Sequence, residues 1–200
     1  MTKLAEKDWS GNKRTNFATL GASNHADHER AENDYYATPT RAGLDLIRIY
    51  PSIKDIWECA CGGGSLCVGF DEVHKLSRSS DLIDRGYGEG GVDFLLQTEP
   101  WAGWIVTNPP YKFALEFAER AIELAQGGVA LFLRVQFLES QKRQRLFIKS
   151  PPNFVYVYAK RCPQCALNGD FSNPTGNATT YCWFIWDKSL PKHEPIIRWL

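Results

Sequence analysis

The chain has no excess of charge of either sign and no long apolar run. Its 23 basic and 23 acidic side chains cancel over 200 residues, so the formal net charge is zero. This balance excludes a protein that attracts polyanions over its whole surface, and any contact with nucleic acid has to be local. No window approaches the roughly 18 consecutive apolar residues of a membrane span, and the first residues lack the apolar stretch of a signal peptide. We therefore expect neither membrane insertion nor secretion.

Cysteine is also sparse, and the six thiols are unevenly spaced. This pattern favours reduced thiols over a disulfide framework. Cys162 and Cys165 have the spacing of half a zinc site, but only Cys182 and the distant His193 follow them as further ligands. A four-ligand site is therefore not expected, and we predict no bound metal.

The distribution of polar and apolar residues along the chain predicts one domain preceded by a polar arm. Residues 1–34 are polar and aperiodic, which predicts a partly disordered arm, whereas 44% of the whole chain is hydrophobic and can build a core over residues 35–200. Thr38 and Pro39 mark the start of a helix over 39–50, which Pro51 stops.

Short apolar segments then alternate with helical segments. Strands separated by helices predict an α/β fold with a doubly wound, mostly parallel sheet. The last predicted strand follows a loop rich in Gly, Asn and Pro without a helix, so we expect it to run antiparallel. The predicted strands are 55–59, 79–83, 104–107, 129–133, 154–158 and 181–186, and the helices between them are 65–74, 113–124 and 141–148.

A glycine-rich turn follows the first of these strands. Between the strand and the next helix lie Gly62, Gly63 and Gly64. Glycines at such a turn let the backbone come close to a ligand, and the N-terminal amides of the helix then face that ligand. We interpret the turn as a nucleotide or nucleoside cradle, with a plain tight turn as the alternative. Cys67 stands where a dinucleotide fingerprint has a small residue, and the Gly-Lys-Ser/Thr ending of a phosphate loop is absent.

Three aspartates follow at positions suited to such a ligand. Asp81 lies roughly twenty residues after the glycines, where an acidic side chain accepts hydrogen bonds from ribose hydroxyls, and Asp84 competes for this role. Asp93, before Phe94, can accept from the amine of an adenine. Asp81 or Asp93 can instead be a turn or cap residue.

The tetrapeptide Asn108-Pro109-Pro110-Tyr111 ends a predicted strand. Two consecutive prolines cannot continue a strand ladder, so the chain leaves the sheet there with its carbonyl groups unpaired. The Asn108 side-chain oxygen and the Pro109 carbonyl can each accept one hydrogen of an NH2 group, and the Tyr111 ring can stack on the base that carries it. The alternative is an ordinary Asn-Pro turn.

With these residues the chain resembles the Rossmann-type S-adenosylmethionine-dependent DNA adenine-N6 methyltransferases, and most of all the small methylases of phages and prophages. The resemblance covers roughly residues 33–187 and includes the whole catalytic tetrapeptide. It implies S-adenosylmethionine as the cofactor and the cytoplasm of a bacterium or a phage-infected host as the location. The cofactor-binding residues it implies are Tyr36, Thr38, Pro39, Glu58, Cys59, Ala60, Gly62, Gly64, Asp81, Asp93, Phe94 and Asn108.

The resemblance also implies DNA as the partner, with the target adenine flipped into the site. No obligatory protein partner is inferred. Between positions 134 and 161 the sequence has seven basic residues and one acidic residue, Glu139. This segment can line the phosphate backbone, although a solvated helix face is an alternative reading. We assign DNA contacts to Lys142, Arg143, Arg145 and Arg161.

Two other functions stay open at this point. The same tetrapeptide geometry accepts a glutamine amide of a protein or an amine of an RNA, although residues 1–34 are too few and too polar for a helical substrate domain. A non-catalytic DNA-binding module of the same fold is the second alternative. The chain leaves little room for a separate target-recognition domain, so we expect short or relaxed sequence specificity.

Overall fold

A mixed sheet with helices on both faces organises the part of the chain that the computed structural model describes, which is residues 35–159, 165–172 and 180–200. The described residues all belong to one unit, Ala31–Leu200. The polar arm expected over residues 1–34 lies outside them, as do Arg161 and Cys162.

The described residues form nine strands and four α-helices. The strands are β1 Tyr36–Ala37, β2 Ile56–Glu58, β3 Leu76–Ser79, β4 Trp104–Thr107, β5 Gly128–Arg134, β6 Phe154–Val157, β7 Ala166–Leu167, β8 Tyr181–Asp187 and β9 Ile196–Trp199. The helices are α1 Thr40–Ile49, α2 Ser65–Asp71, α3 Ala114–Leu124 and α4 Gln141–Lys149.

Seven of these strands form one sheet in the order β3-β2-β4-β5-β8-β6-β9. Strands β3, β2, β4 and β5 are parallel, and β8 runs antiparallel to both β5 and β6. The mostly parallel α/β fold and the antiparallel direction of the strand over 181–186 are therefore confirmed. The remaining two strands, β1 and β7, pair with each other as an antiparallel ribbon.

The central strands are apolar on both faces because helices cover both. All residues of β4 and β8 are buried. Helix α3 packs Phe117, Ala118 and Ala121 against one face. Helices α1 and α2 pack against the other face, where Leu46 and Phe70 belong to one buried cluster. In the described part of the chain, no helix combines the length and the apolarity that a membrane span needs.

Two predicted elements are wrong in position or extent. The strand predicted over 79–83 is β3, Leu76–Ser79, because the Asp81 carboxylate accepts the Ile83 N–H and turns the chain out of the sheet, which leaves Leu82 58% exposed. The helix predicted over 65–74 ends at Asp71. Strand β9 was not predicted, and all its residues are exposed at the edge of the sheet.

Candidate active site

The three chemical motifs of the sequence meet at one edge of the sheet. Strands β2, β3 and β4 are parallel neighbours, so their carboxyl ends lie side by side. The glycine turn follows β2, Asp81 follows β3, and Asn108 follows β4. The crevice outside the carboxyl ends of parallel strands is the usual place for a ligand in such folds.

Two tyrosine rings pack against the glycine turn. Gly62 and Gly64 have left-handed φ angles of +56° and +83°. A Cβ at Gly62 would clash with the Tyr35 ring, and one at Gly64 would clash with the Tyr87 ring. The close approach that the sequence predicted for a ligand is thus made here by side chains of the protein itself.

Tyr35 belongs to a closed set of contacts around this turn. Its hydroxyl accepts the Gly63 N–H at 2.9 Å, and the Arg85 guanidinium lies 4.4 Å from the centroid of its ring. Arg85 also pairs with the Asp81 carboxylate at 3.1 Å, and that carboxylate accepts the Gly62 N–H at 2.8 Å. Asp81 therefore holds the turn directly, and hydroxyls of a ligand would share its oxygens with these donors.

Tyr87 and Arg85 were missed by the sequence analysis. They lie in a loop without periodic pattern, so no signal in the sequence pointed to them. Tyr35 lies within residues 33–187, the range of the resemblance, but it was not assigned a role.

Glu58 is buried at the end of β2, with 1% of its surface exposed. Its carboxylate accepts the Ala60 N–H at 3.0 Å. Burial raises the pKa of the Glu58 carboxyl from its ordinary value of 4.5 to about 8, and the bond from Ala60 counteracts part of this effect. The Glu58 carboxyl is therefore mostly protonated at neutral pH. Its neighbour Cys59 is also buried, and burial raises the pKa of the Cys59 thiol.

The third acidic position has a structural partner of its own. Asp93 accepts the Leu95 N–H at 2.9 Å and caps a short 3-10 helix over Phe94–Leu96. The Phe94 ring lies in the core, 5.4 Å from the ring of Trp57 and 5.0 Å from the ring of Phe117. These contacts fit the alternative reading of Asp93 as a cap residue.

Asn108 presents its amide oxygen because its amide nitrogen is already engaged. The nitrogen donates to the Tyr36 carbonyl at 3.1 Å and to the Thr38 hydroxyl at 2.8 Å. A carbonyl can only accept, so these bonds fix which way the amide points. The amide oxygen is buried, and in the described part of the chain it has no hydrogen-bond partner.

Tyr111 stands in a cluster of aromatic and cationic groups. Its ring stacks on Tyr36 at 5.1 Å, and its hydroxyl lies 2.8 Å from that of Tyr181. The Arg134 guanidinium lies 4.4 Å from the centroid of the Tyr111 ring. Burial raises the pKa of Tyr111 well above its usual range, so the phenol stays neutral. The Pro110 carbonyl accepts the Phe113 N–H and closes the turn.

The β1–β7 ribbon brings the C-terminal part of the chain to the tetrapeptide. Tyr36 is in register with Leu167, and Ala37 is in register with Ala166. The Cys165 sulfur lies 3.9 Å from the Asn108 amide nitrogen. The sequence analysis assigned no role at this site to Cys165, Tyr181 or Arg134, because only the fold joins residues so far apart in the chain.

Two of the four predicted DNA contacts line one cleft. Lys142 and Arg143 line a cleft beside Tyr111, whereas Arg145 of the same helix is not among the lining residues. Arg161 falls outside the described residues. Within the residues that the structure describes, no three His, Cys, Asp or Glu side chains are grouped as metal ligands.

Comparison with known proteins gives a fold and no family. No protein-family model and no curated protein matches the sequence. A solved candidate class I S-adenosylmethionine-dependent methyltransferase from Listeria monocytogenes matches with a TM-score of 0.56 and 12% identity, over 87% of this chain and 68% of that one.

Two further solved structures match to a similar extent. A candidate RNA methyltransferase from Pyrococcus horikoshii has a TM-score of 0.53 and 12% identity, over 90% of this chain and 99% of that one. The 23S rRNA methyltransferase ErmE has a TM-score of 0.53 and 11% identity, over 78% of this chain and 71% of that one. At such identities the matches establish the fold, and this chain has the Rossmann-like fold of the class I methyltransferases.

Proposed function

We propose that the protein transfers a methyl group from S-adenosylmethionine to the N6 amine of adenine in DNA. The observation that carries the proposal is the Asn108 amide oxygen, which is buried, without a partner among the described residues, and oriented by Tyr36 and Thr38. Such an oxygen is an acceptor for one hydrogen of a planar amine. It lies at the carboxyl end of β4, beside the Tyr111 ring. Tyr36 and Arg134 contact that ring in this structure, so a base that stacks on it would take the place of one of them.

The residues around the glycine turn fit the proposed cofactor. The Gly63 N–H donates to a tyrosine hydroxyl, so the turn presents a donor to an oxygen, and the Asp81 carboxylate beside it is an acceptor for hydroxyls. The other proposed contacts are Tyr36, Thr38, Pro39, Glu58, Cys59, Ala60, Gly62, Gly64, Asp93, Phe94 and Asn108. When bound, S-adenosylmethionine supplies an electrophilic methyl group on a sulfonium.

The protein's own part in the reaction is to position and polarise the amine. Asn108 accepts one amine hydrogen and the Pro109 carbonyl accepts the other, which makes the nitrogen lone pair available for attack. These two contacts would hold the nitrogen lone pair towards the methyl group that the cofactor would supply, and the proton that the methylated nitrogen gives up would pass to water. Alignment of the two reacting atoms supplies much of the rate gain.

Transfer of labelled methyl tests this proposal. The wild-type protein is incubated with labelled S-adenosylmethionine in three separate reactions, which contain DNA, RNA or a glutamine-containing protein. The labelled nucleoside or amino acid in each product is then identified. We expect N6-methyladenine in DNA and no methylated cytosine. Label in RNA or protein with DNA unlabelled would show that the DNA assignment is wrong, although an amine-activating site would remain.

Replacement of Asn108 tests the catalytic role. Asn108→Ala should slow transfer by about two to three orders of magnitude, the scale of losing one preorganised polar contact to a reacting group. Asn108→Ala also removes the bonds to Tyr36 and Thr38, two proposed cofactor contacts. Cofactor affinity should therefore fall as well, but by less than about tenfold. Gln126→Ala, an exposed amide before β5, is the matched control. Transfer by Asn108→Ala at the wild-type rate would exclude the proposed role.

A further inference from the structure

A cleft of about 270 Å³ opens beside the proposed target site. One wall is the turn from Tyr111 into α3, the second is the end of β5, and the third is the start of α4. Each wall contributes at least one cation. The four cationic side chains that line the cleft are Lys112, Arg134, Lys142 and Arg143.

The cleft concentrates positive charge in a chain whose net charge is zero. Among the described residues that line it, Glu116 is the one carboxylate. Within the described part of the chain, Arg134, Lys142 and Arg143 form no ion pair with any carboxylate. Three of its cations therefore keep their charge available for a ligand, and low-dielectric walls strengthen their effect.

Two of these cations are held in place by contacts with the protein. The Arg134 guanidinium lies over the Tyr111 ring, and its Nε is buried without a hydrogen-bond partner among the described residues. Arg143 donates to the Gln136 carbonyl at 2.6 Å, and its guanidinium lies 5.0 Å from the centroid of the Phe137 ring. A buried guanidinium nitrogen without an acceptor is unfavourable, and the charge of the Arg134 guanidinium attracts an anion into the cleft that this residue lines.

We infer that this cleft binds a backbone phosphate next to the target nucleotide. The inference rests on the proposed function in one respect, since it takes the target base to lie against Tyr111. Lysine and arginine are the usual partners of phosphate oxygens. The volume is slightly below the roughly 300–1,000 Å³ of pockets that enclose whole small molecules, which suits a phosphodiester group with part of its sugar. The cleft thus fixes the register of the nucleic acid while the tetrapeptide acts on the base.

Binding of a short oligothymidylate with a single adenine tests the inference, because the adenine fixes the register. Affinity is measured by fluorescence anisotropy with S-adenosylmethionine omitted. Lys142→Gln should weaken binding by about three- to tenfold at moderate salt and reduce the slope of log affinity against log salt by about 0.7. Lys54→Gln is the matched control, because Lys54 is exposed and lies just before β2, at the amino-terminal end of that strand. It should change neither the affinity nor the salt slope.

A neutral linkage then locates the contact. Replacing one linkage beside the adenine with a methylphosphonate should weaken binding to the wild type and leave binding to Lys142→Gln nearly unchanged, since that variant has already lost the partner. Equal losses from the methylphosphonate in both proteins would overturn the inference. Arg145→Gln, on the same helix but outside the cleft, should weaken binding less than Lys142→Gln. An equal loss would show that the helix face binds as a whole and would also overturn the inference.

An RNA oligonucleotide of the same sequence separates this inference from the proposed function. Lys142-dependent binding of RNA without binding of DNA would support the phosphate cleft and contradict DNA as the substrate. Methylation of adenine in DNA by Lys142→Gln with wild-type affinity and salt slope would support the proposed function and exclude the cleft.

Discussion

Asn108 shows how single atoms determine what this site can do. Its amide nitrogen is bonded to Tyr36 and Thr38, two residues that the sequence analysis assigned to the cofactor. The same side chain thereby joins the proposed cofactor segment to the reacting amine. A change at Asn108 is therefore expected to affect both turnover and, more weakly, cofactor affinity.

Two variants at Tyr111 distinguish the contribution of its ring from that of its hydroxyl. Tyr111→Phe keeps the ring but leaves the Tyr181 hydroxyl without its partner at 2.8 Å, so it should lower the free energy of unfolding by about 1 kcal/mol and leave methyl transfer near the wild-type rate. Tyr111→Ala should weaken DNA binding by about 1–3 kcal/mol, the scale of one base–aromatic stack. Steady-state kinetics and denaturant unfolding measure the two effects. Equal loss of transfer in both variants would contradict the stacking role.

Glu58 should make stability depend on pH. Between its ordinary pKa of 4.5 and its raised pKa of about 8, the folded protein keeps a proton that the unfolded chain has released. The contribution of Glu58 to stability is therefore complete below pH 4.5, falls by at most about 1.4 kcal/mol per pH unit across this window, and is lost above it.

Glu58→Gln should remove this dependence, because a neutral amide of the same shape does not titrate and its oxygen can still accept the Ala60 N–H. Denaturant unfolding at several pH values between 5 and 8 measures the difference from wild type. Glu119→Gln, an exposed change on α3, is the control. Parallel pH profiles for wild type and Glu58→Gln would show that Glu58 keeps an ordinary pKa.

At the scale of elements, the segment before α1 covers the glycine turn. Tyr35 places its ring against Gly62 and its hydroxyl on the Gly63 N–H, and β1 follows immediately. A ligand that approaches the same backbone atoms has to compete with Tyr35. The short β1–β7 ribbon is thus part of the site rather than a connection between elements.

Tyr35→Ala should strengthen binding of S-adenosylmethionine, because the competing ring and hydroxyl are removed. Tyr35→Phe keeps the ring and loses only the bond to the Gly63 N–H, so its effect should be smaller and in the same direction. Titration calorimetry with both variants measures the change. Weaker binding by Tyr35→Ala would show that the ring supports the cofactor instead of competing with it.

The elements differ in how well the sequence predicts them. Strand β4, Trp104–Thr107, lies where it was predicted, because a strand buried on both faces is a continuous apolar run between polar turns. Strand β3 was misplaced because it is an edge strand whose residues are mostly half-exposed, so its pattern is weak. Strand β9 is exposed along its whole length and is identified only by its pairing with β6.

Over the whole molecule, the positive and negative charges cancel in total but are unevenly distributed over the structure. In the described part of the chain, four cations and one carboxylate line the cleft beside Tyr111, whereas the formal charges of the whole chain sum to zero. Binding of nucleic acid should therefore be strongly salt-dependent without a basic isoelectric point.

Removal of metal should leave the molecule unchanged. Too few further ligands accompany Cys162 and Cys165, and Cys165 is buried against Asn108 and Thr38. Protein purified without chelator should contain far less than stoichiometric zinc, and chelator should not shift its melting temperature. Metal analysis and thermal unfolding check this expectation. Stoichiometric zinc that is lost together with the fold would contradict it.

The sequence by itself determined the α/β class, the glycine turn, the tetrapeptide and the absence of a general basic surface, because periodicity, proline, glycine and net charge act locally or additively. Only the tertiary structure decided which atoms meet. In the folded chain the Asn108 amide nitrogen is hydrogen-bonded, and its amide oxygen has no partner among the described residues. The fold also packs Tyr35 against Gly62 and brings Arg134 and Tyr181 to Tyr111. These contacts join residues on different elements, some of them far apart in the chain, and their partners depend on the packing of the whole sheet, which no local pattern encodes.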